Sequence, residues 1–192
     1  MYSKDDAGNE RAIALGVATQ AETDAGVVVK AITADLNRIA LSTPVATTSG
    51  TEHDFTGIPA GVRRVIVTLS GISTSGTSIM QLQLGTAGGI EVTSYAAASF
   101  DSGGQAGSTA GFVFNRASVA AGTYSGQVVF NLHNSTSNLW AASGVFVRTD
   151  IADGSSFAGT KTISSVLNRI RLTTANGSDT FDAGSVNIAY ER

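Results

Sequence analysis

The sequence predicts an all-β protein, an antiparallel β-sandwich of jelly-roll type preceded by a short helical N-terminal arm. Three observations predict this class. After Pro44, apolar residues lie in short runs where apolar and polar positions alternate with a period of two. Clusters of Gly, Ser, Thr and Asn separate these runs at short intervals. Before Pro44 the chain is rich in Ala and has helix-forming spacing, so we divide it into an arm, residues 1–45, and a β domain, residues 46–192.

The first helix of the arm is predicted from its capping residues. Thr19 precedes Glu22 by three positions, which is the spacing of a capping box. Gly26 follows at a position that ends a helix. One or two helical turns are therefore expected over residues 20–25.

A second short helix is predicted over residues 34–41, with Thr33 as its N-cap and with Leu36 and Ile39 on one face. Helices of this length are marginal in water, so their apolar faces must pack against something else. Another copy of the chain would serve, and so would the β domain of the same subunit. Attachment or oligomerisation is accordingly assigned to four residues: Thr19, Glu22, Leu36 and Ile39.

The strands of the β domain are predicted from alternation. Val65, Val67 and Leu69 fall on one side of a strand, with Arg64, Ile66 and Thr68 on the other. Strands that are half buried and half solvated are typical of antiparallel sheets packed as a sandwich. The same alternation recurs over residues 80–84, 128–132, 169–173 and 186–191.

Two further segments of the β domain are assigned from their side chains. In the run that begins at Trp140, the core face is assigned to Val145 and Val147, and Arg148 is expected to point outward. Residues 99–111 are Gly-rich and contain too little apolar material for a strand. They are expected to form a mobile or partner-ordered loop, whose function the sequence does not define.

Composition excludes several classes of function. Charged residues make up 14% of the chain and the net charge is -3, so no basic surface supports nucleic-acid binding. No apolar run approaches the roughly 20 residues needed to cross a bilayer, so membrane insertion is not expected. Cysteine is absent, which removes disulfides, thiolate metal sites and cysteine nucleophiles.

Catalytic and metal sites are not expected either. The two histidines, His53 and His133, are distant in sequence and lie next to polar residues, and no Gly-x-Ser-x-Gly motif is present. Glu91 and Asp101 are of the residue types that form a glycosidase pair, but such pairs arise by chance in a loop-rich chain. The sequence therefore predicts a protein that is not an enzyme and needs no metal or cofactor.

Several segments resemble proteins of bacteriophage tails. Residues 15–26, LGVATQAETDAG, followed by KAIT at 30–33, resemble a segment that recurs in tail fibres and other tail proteins. Residues 55–65, 81–91 and 181–191 look like parts of a β domain found in small phage tail and tail-fibre proteins. The similarity covers most of the chain.

The resemblance implies a virion structural protein of the tail, made in the host cytoplasm and assembled as a homotrimer. The arm would dock onto other virion tail proteins, while the β domain would face outward and contribute to host attachment. The partner at the host surface would be a glycan or a protein. The alternative is an architectural role, as a capsid or tail decoration or adaptor protein without receptor binding. A third interpretation, a free carbohydrate-binding module, predicts a monomer with an exposed Trp140.

Candidate receptor contacts follow from glycan chemistry, because proteins hold sugars with aromatic faces and side-chain amides. Trp140 comes just after the polar segment 134–138, so Trp140 and Asn138 are candidates. A buried position in the core is the competing interpretation of Trp140, since large aromatic residues dominate core burial. Tyr95 and Phe100, beside the Gly-rich segment, form a second candidate pair.

Overall fold

A computed structural model describes residues 2–4, 10–12 and 39–192 of the chain. It divides the chain into two units, Met1–Arg38 and Ile39–Arg192. The boundary between the two units therefore lies before the predicted boundary at residue 45. The second unit, Ile39–Arg192, is called the β unit below.

In the first unit, strand β1 (Tyr2–Lys4) pairs antiparallel with β2 (Glu10–Ala12). Neither strand was predicted. Thr19, Glu22 and Leu36, and the helix expected over residues 20–25, lie outside the described residues.

The β unit consists of strands and turns, with no helix in the described part of the chain. Its strands are β3 (Ala40–Leu41), β4 (Val45–Ala46), β5 (Glu52–Phe55), β6 (Arg64–Thr74), β7 (Met80–Thr86), β8 (Gly89–Ile90), β9 (Tyr95–Asp101), β10 (Gly104–Ser108), β11 (Phe112–Val113), β12 (Tyr124–Asn134), β13 (Leu139–Arg148), β14 (Asp153–Thr162), β15 (Arg169–Thr174) and β16 (Phe181–Glu191).

These strands form two antiparallel sheets. The larger sheet has the order β10-β9-β14-β13-β12-β6-β16-β3, and β4 also pairs with β16. The smaller sheet has the order β11-β7-β15-β5, and β8 also pairs with β7. The prediction of an all-β, antiparallel protein is therefore confirmed for the residues that the structure describes.

One hydrophobic cluster joins the inner faces of both sheets. Phe112 of the smaller sheet packs against two rings of the larger one, with centroid distances of 5.5 Å to Phe130 and 6.0 Å to Phe157. The predicted alternation in β6 is confirmed, because Val65, Val67 and Leu69 are buried. The two sheets thus pack face to face.

The facing predicted for β13 is wrong. Trp140 and Phe146 point into the core, whereas Val145 and Val147 are 69% and 39% exposed. Period-two alternation leaves this strand ambiguous because both of its faces carry apolar side chains. The large aromatic residues take the core face because they bury more apolar area than valine does.

The alternation predicted for β7 holds on only one face of the strand, because Gln81 and Gln83 are also buried. The strand lies inside the smaller sheet, and the Gln83 Nε2 donates a hydrogen bond to the Ala110 carbonyl at 2.8 Å. The segment between β10 and β11 therefore covers part of the outer side of β7.

The loop predicted over residues 99–111 is also wrong, because β9 and β10 form a hairpin there. The main chain of β9 pairs with β14 on its other side, and Phe100 lies opposite Ser156. Backbone hydrogen bonds to β14 therefore order this segment, although its small side chains contribute little packing.

The described end of the helix predicted over residues 34–41 is a strand instead. Ala40 and Leu41 pair with Tyr190 and Ala189 of β16. A sheet edge offers these residues backbone partners at once, whereas a short isolated helix is marginal in water.

Candidate functional site

A cavity of about 200 Å³ opens where three connections of the β unit meet. These connections are residues 56–63, between β5 and β6, residues 135–138, between β12 and β13, and residues 163–168, between β14 and β15. We call this cavity the loop-end pocket. Its lining comprises Pro59, Gly61, Val62, Leu132, Ser135, Asn138, Trp140, Val166 and Leu167.

Backbone hydrogen bonds hold the three connections together. The Ile163 amide donates to the Asn138 carbonyl at 3.2 Å, and the Ile58 amide donates to the Asn168 carbonyl at 2.9 Å. The Leu132 amide donates to the Arg63 carbonyl at 2.8 Å. The pocket is therefore built on a fixed main-chain frame.

The turn that carries Asn138 is organised by its own side chains. The Asn134 Oδ1 accepts hydrogen bonds from the amides of Thr136 at 2.8 Å and Ser137 at 3.1 Å. Asn138 closes the turn with a φ of 52°, in the left-handed region that Asn tolerates better than most residues. This backbone conformation places Asn138 at the border of the pocket.

Trp140 lines the same pocket but is only 2% exposed. It lies on the inner face of β13, opposite Leu132 of β12 and Lys161 of β14. Its indole Nε1 is buried and has no hydrogen-bond partner among the described residues. Trp140 is therefore a core residue that also forms part of a pocket wall. The exposed Trp140 expected of a free carbohydrate-binding module is not observed.

The structure places Tyr95 away from the loop-end pocket and in the core. Its hydroxyl accepts a hydrogen bond from the Leu84 amide at 2.7 Å and donates one to the Glu91 carbonyl at 2.8 Å. Burial raises the pKa of this phenol above its ordinary range. Because its hydroxyl is used in hydrogen bonds that join the two sheets, Tyr95 is not part of the candidate site.

A buried ion pair fixes one connection of the pocket. The Lys161 Nζ lies 2.8 Å from the Glu91 Oε2, and the Glu91 Oε1 accepts a hydrogen bond from the Ser164 amide at 2.7 Å. Burial disfavours ionisation of Glu91, but the Lys161 and Ser164 donors outweigh it and hold the pKa of this carboxyl below its ordinary value. The carboxylate thereby ties residues 163–168 to the larger sheet.

Two other candidates lie elsewhere on the surface. Ile39, assigned to attachment, precedes β3 and is 60% exposed. Phe100 is half exposed on the outer face of β9, distant in sequence from the pocket residues.

Sequence reasoning singled out Trp140 and Asn138, which the structure brings to one pocket, but it missed Pro59, Leu132 and Val166. Pro59 and Val166 come from separate connections and Leu132 from strand β12, and nothing in their local sequence marks them as lining residues. Their approach depends on strand pairing across the sheet.

Within the described ranges no cluster of three or more His, Asp and Glu residues is arranged to hold a metal ion. No helix found there is long and apolar enough to span a membrane. Comparisons with protein-family models, curated proteins and solved structures found no match for this chain.

Proposed function

We propose that this chain is a virion structural protein of a bacteriophage tail, a fibre, tip or baseplate subunit without enzymatic activity. In this proposal the N-terminal arm docks onto other tail proteins, and the β unit faces outward and helps attach the particle to a host surface. The resemblance of the arm and of three β segments to tail proteins supports this assignment. The chain is rich in Ser and Thr and only 14% of its residues are charged, which suits a protein exposed outside a cell.

The observation that carries the attachment role is the loop-end pocket. Its walls are mostly apolar, while Ser135 and Asn138 contribute a hydroxyl and an amide. Such a combination fits a ligand that presents an apolar group flanked by hydroxyls or amides, as sugars with methyl or acetamido substituents do. A surface glycan of the host is therefore the ligand class that we favour, ahead of a protein.

The pocket is small, so each copy would bind weakly. Several copies held on one particle would combine weak sites through a high effective concentration. A homotrimer, as the resemblance implies, would supply this multivalency. The helical arm and the jelly-roll class are parts of the same proposal. The chain passes repeatedly between the two sheets, which supports a jelly roll, but β12, β13 and β14 follow one another within the larger sheet.

The attachment role is tested with Asn138→Gly and Asn138→Ala. Glycine adopts a positive φ without strain, so Asn138→Gly should retain the turn while removing the amide from the pocket. Alanine removes the same amide and also strains the turn, at a cost of about 1 kcal/mol. Binding of the full chain to an array of bacterial surface polysaccharides is the measurement.

We expect both variants to lose about tenfold or more in binding, because a hydrogen-bonding group of the site is gone. Asn138→Gly should unfold at the same urea concentration as the unsubstituted protein. Retention of full binding by Asn138→Gly, or no binding of the unsubstituted chain to any polysaccharide on the array, would argue against a glycan site at this pocket.

An architectural role, as a decoration or adaptor protein, is the second candidate. The exposed apolar side chains of Phe100, Val145 and Val147 favour it, because such residues on a sheet face indicate contact with another protein. Position in the particle discriminates between the roles. An adaptor would have the loop-end pocket covered by neighbours, whereas an attachment protein would leave it open at a distal tip.

A further inference from the structure

The outer face of the larger sheet presents a surface with few charged side chains. We call it the outer-face patch and define it by the outward side chains of β9, β10, β12, β13 and β14. Strand pairing aligns one row across it, in which Gln105 lies opposite Phe100, Phe100 opposite Ser156, Ser156 opposite Val145, and Val145 opposite Gln127.

The patch combines protruding apolar side chains with a hollow. Val145 and Phe100 are 69% and 48% exposed, and they stand on either side of Ser156. A shallow cavity of about 380 Å³ lies between them, and Gly154, Ser156 and, at the end of β9, Asp101 also line it. Protruding apolar side chains and a hollow therefore lie side by side on this face.

The patch also carries little charge. The outward positions of these five strands carry no Lys, Arg, Asp or Glu; they are occupied by Ala, Gly, Ser, Thr, Gln, Asn, Val and Phe residues together with Leu139 and His133. The guanidinium of Arg64 in β6 donates a hydrogen bond from Nε to the Asn131 Oδ1 at the border of the patch at 3.3 Å and pairs with Glu191 of β16 at 3.1 Å. Contacts near a symmetry axis bring a residue close to its own copy, where like charges would repel, so a face with few charges suits self-association.

The size of the patch agrees with this use. The strands β9, β10, β12, β13 and β14 contain 7, 5, 11, 10 and 10 residues. At about 3.3 Å per residue and about 4.8 Å between strands, they cover about 700 Å². A stable specific interface buries about 800 Å² on each partner, so the face is close to sufficient for one.

We propose that the outer-face patch is the surface through which copies of this chain pack against one another. Phe100 and Val145 of one copy would insert beside Ser156 of a neighbour. This inference does not depend on host attachment, because the patch and the loop-end pocket share no lining residue.

The test is the oligomeric state of the full chain by sedimentation velocity over a range of concentrations. We expect a defined oligomer for the unsubstituted protein, and at least about tenfold weaker association for Val145→Asp, which places like charges at the contact. Val92→Asp is the matched control, because Val92 is also an exposed valine, at 56%, but lies outside the patch. Its oligomer should be unchanged.

A second measurement tests the proposal without a charged substitution, in case Val145→Asp does not fold. The chain has no cysteine, so Val145→Cys and Val92→Cys each introduce a single thiol. A short bismaleimide crosslinker should join copies of Val145→Cys and not copies of Val92→Cys. A monomeric unsubstituted chain at all concentrations, or equal crosslinking of the two variants, would overturn the proposal. Loss of polysaccharide binding alone would leave it standing and would count only against the attachment role.

Discussion

The Lys161 Nζ lies 2.8 Å from the Glu91 Oε2, and this ion pair joins the larger sheet to the segment that follows β8 of the smaller sheet. Lys161 is only 4% exposed. It also donates a hydrogen bond to the Thr93 carbonyl at 2.9 Å and lies 5.2 Å from the centre of the Tyr95 ring. A buried cation is tolerated here because carboxylate, carbonyl and aromatic ring all face it.

We expect Glu91→Gln to lower the free energy of unfolding by about 2 kcal/mol, because it leaves the buried Lys161 ammonium without a counter-ion. The double substitution Glu91→Gln with Lys161→Met should recover at least half of that loss, since no buried charge then remains. Urea unfolding measures both. A Glu91→Gln protein within about 0.5 kcal/mol of the unsubstituted one would show that the pair does not stabilise the fold.

The same carboxylate should contribute to acid unfolding. Its pKa is below the ordinary 4.5 in the folded protein, so the unfolded chain takes up the proton first as the pH falls. The stabilisation is complete above pH 4.5 and is lost progressively as the pH falls through the folded-state pKa. The difference in unfolding free energy between the unsubstituted protein and Glu91→Gln should therefore shrink below pH 4.5. A difference that stays constant between pH 7 and pH 3 would be inconsistent with this assignment.

His53 should make stability depend on pH in a different range. Its ring packs edge-on against Phe181 at 5.0 Å, and its Nε2 is buried without a partner among the described residues. Burial lowers the pKa of His53 below its ordinary 6.5, against the opposing effects of Asp54 and the Ser49 backbone.

Because the unfolded chain binds this proton more readily, stability should fall as the pH drops below 6.5 and should level off below the folded-state pKa. His53→Phe should remove that slope while leaving stability above pH 6.5 nearly unchanged. Thermal unfolding between pH 8 and pH 5 is the measurement, and parallel curves for the two proteins would contradict the expectation.

Gly126 is expected to be indispensable to the larger sheet. A Cβ atom there would overlap the Val145 carbonyl oxygen and would lie 2.5 Å from Cδ1 of Phe146. Gly126→Ala should destabilise the protein by about 2 kcal/mol or more, since neighbouring main chain would have to move. Gly154→Ala is the matched control, because its nearest neighbour is 3.9 Å away. Equal unfolding midpoints in urea for the two variants would refute this account of Gly126.

The facing could be predicted from the sequence where one face is uniformly apolar and the other mostly polar, as in β6 with Val65, Val67 and Leu69 opposed to Arg64, Ile66 and Thr68. The facing of β13 could not, because valines alternate there with aromatic residues and both faces look apolar. The β9–β10 hairpin was missed because its order comes from backbone pairing with β14, which side-chain patterns do not report.

The candidate site was foreseeable only in part. Trp140 and Asn138 share one hairpin, so their proximity follows from local sequence. Pro59 and Val166 reach the same pocket through non-local strand pairing, and a single sequence holds no signal for that. The outer-face patch could not be predicted, because the sequence pattern of β13 assigned Val145 to the core face.

The central claim is a division of labour between an anchoring N-terminal segment and a β unit that folds independently. Because β3 and β4 pair with β16, the informative deletion removes residues 1–38 and keeps Ile39–Arg192. The most direct measurement is the amount of each protein, full-length and truncated, in purified virus particles assembled with it. We expect the full chain to be incorporated, and the truncated protein to unfold cooperatively in urea but to be absent from particles. Incorporation of the truncated protein at the level of the full chain would contradict the account.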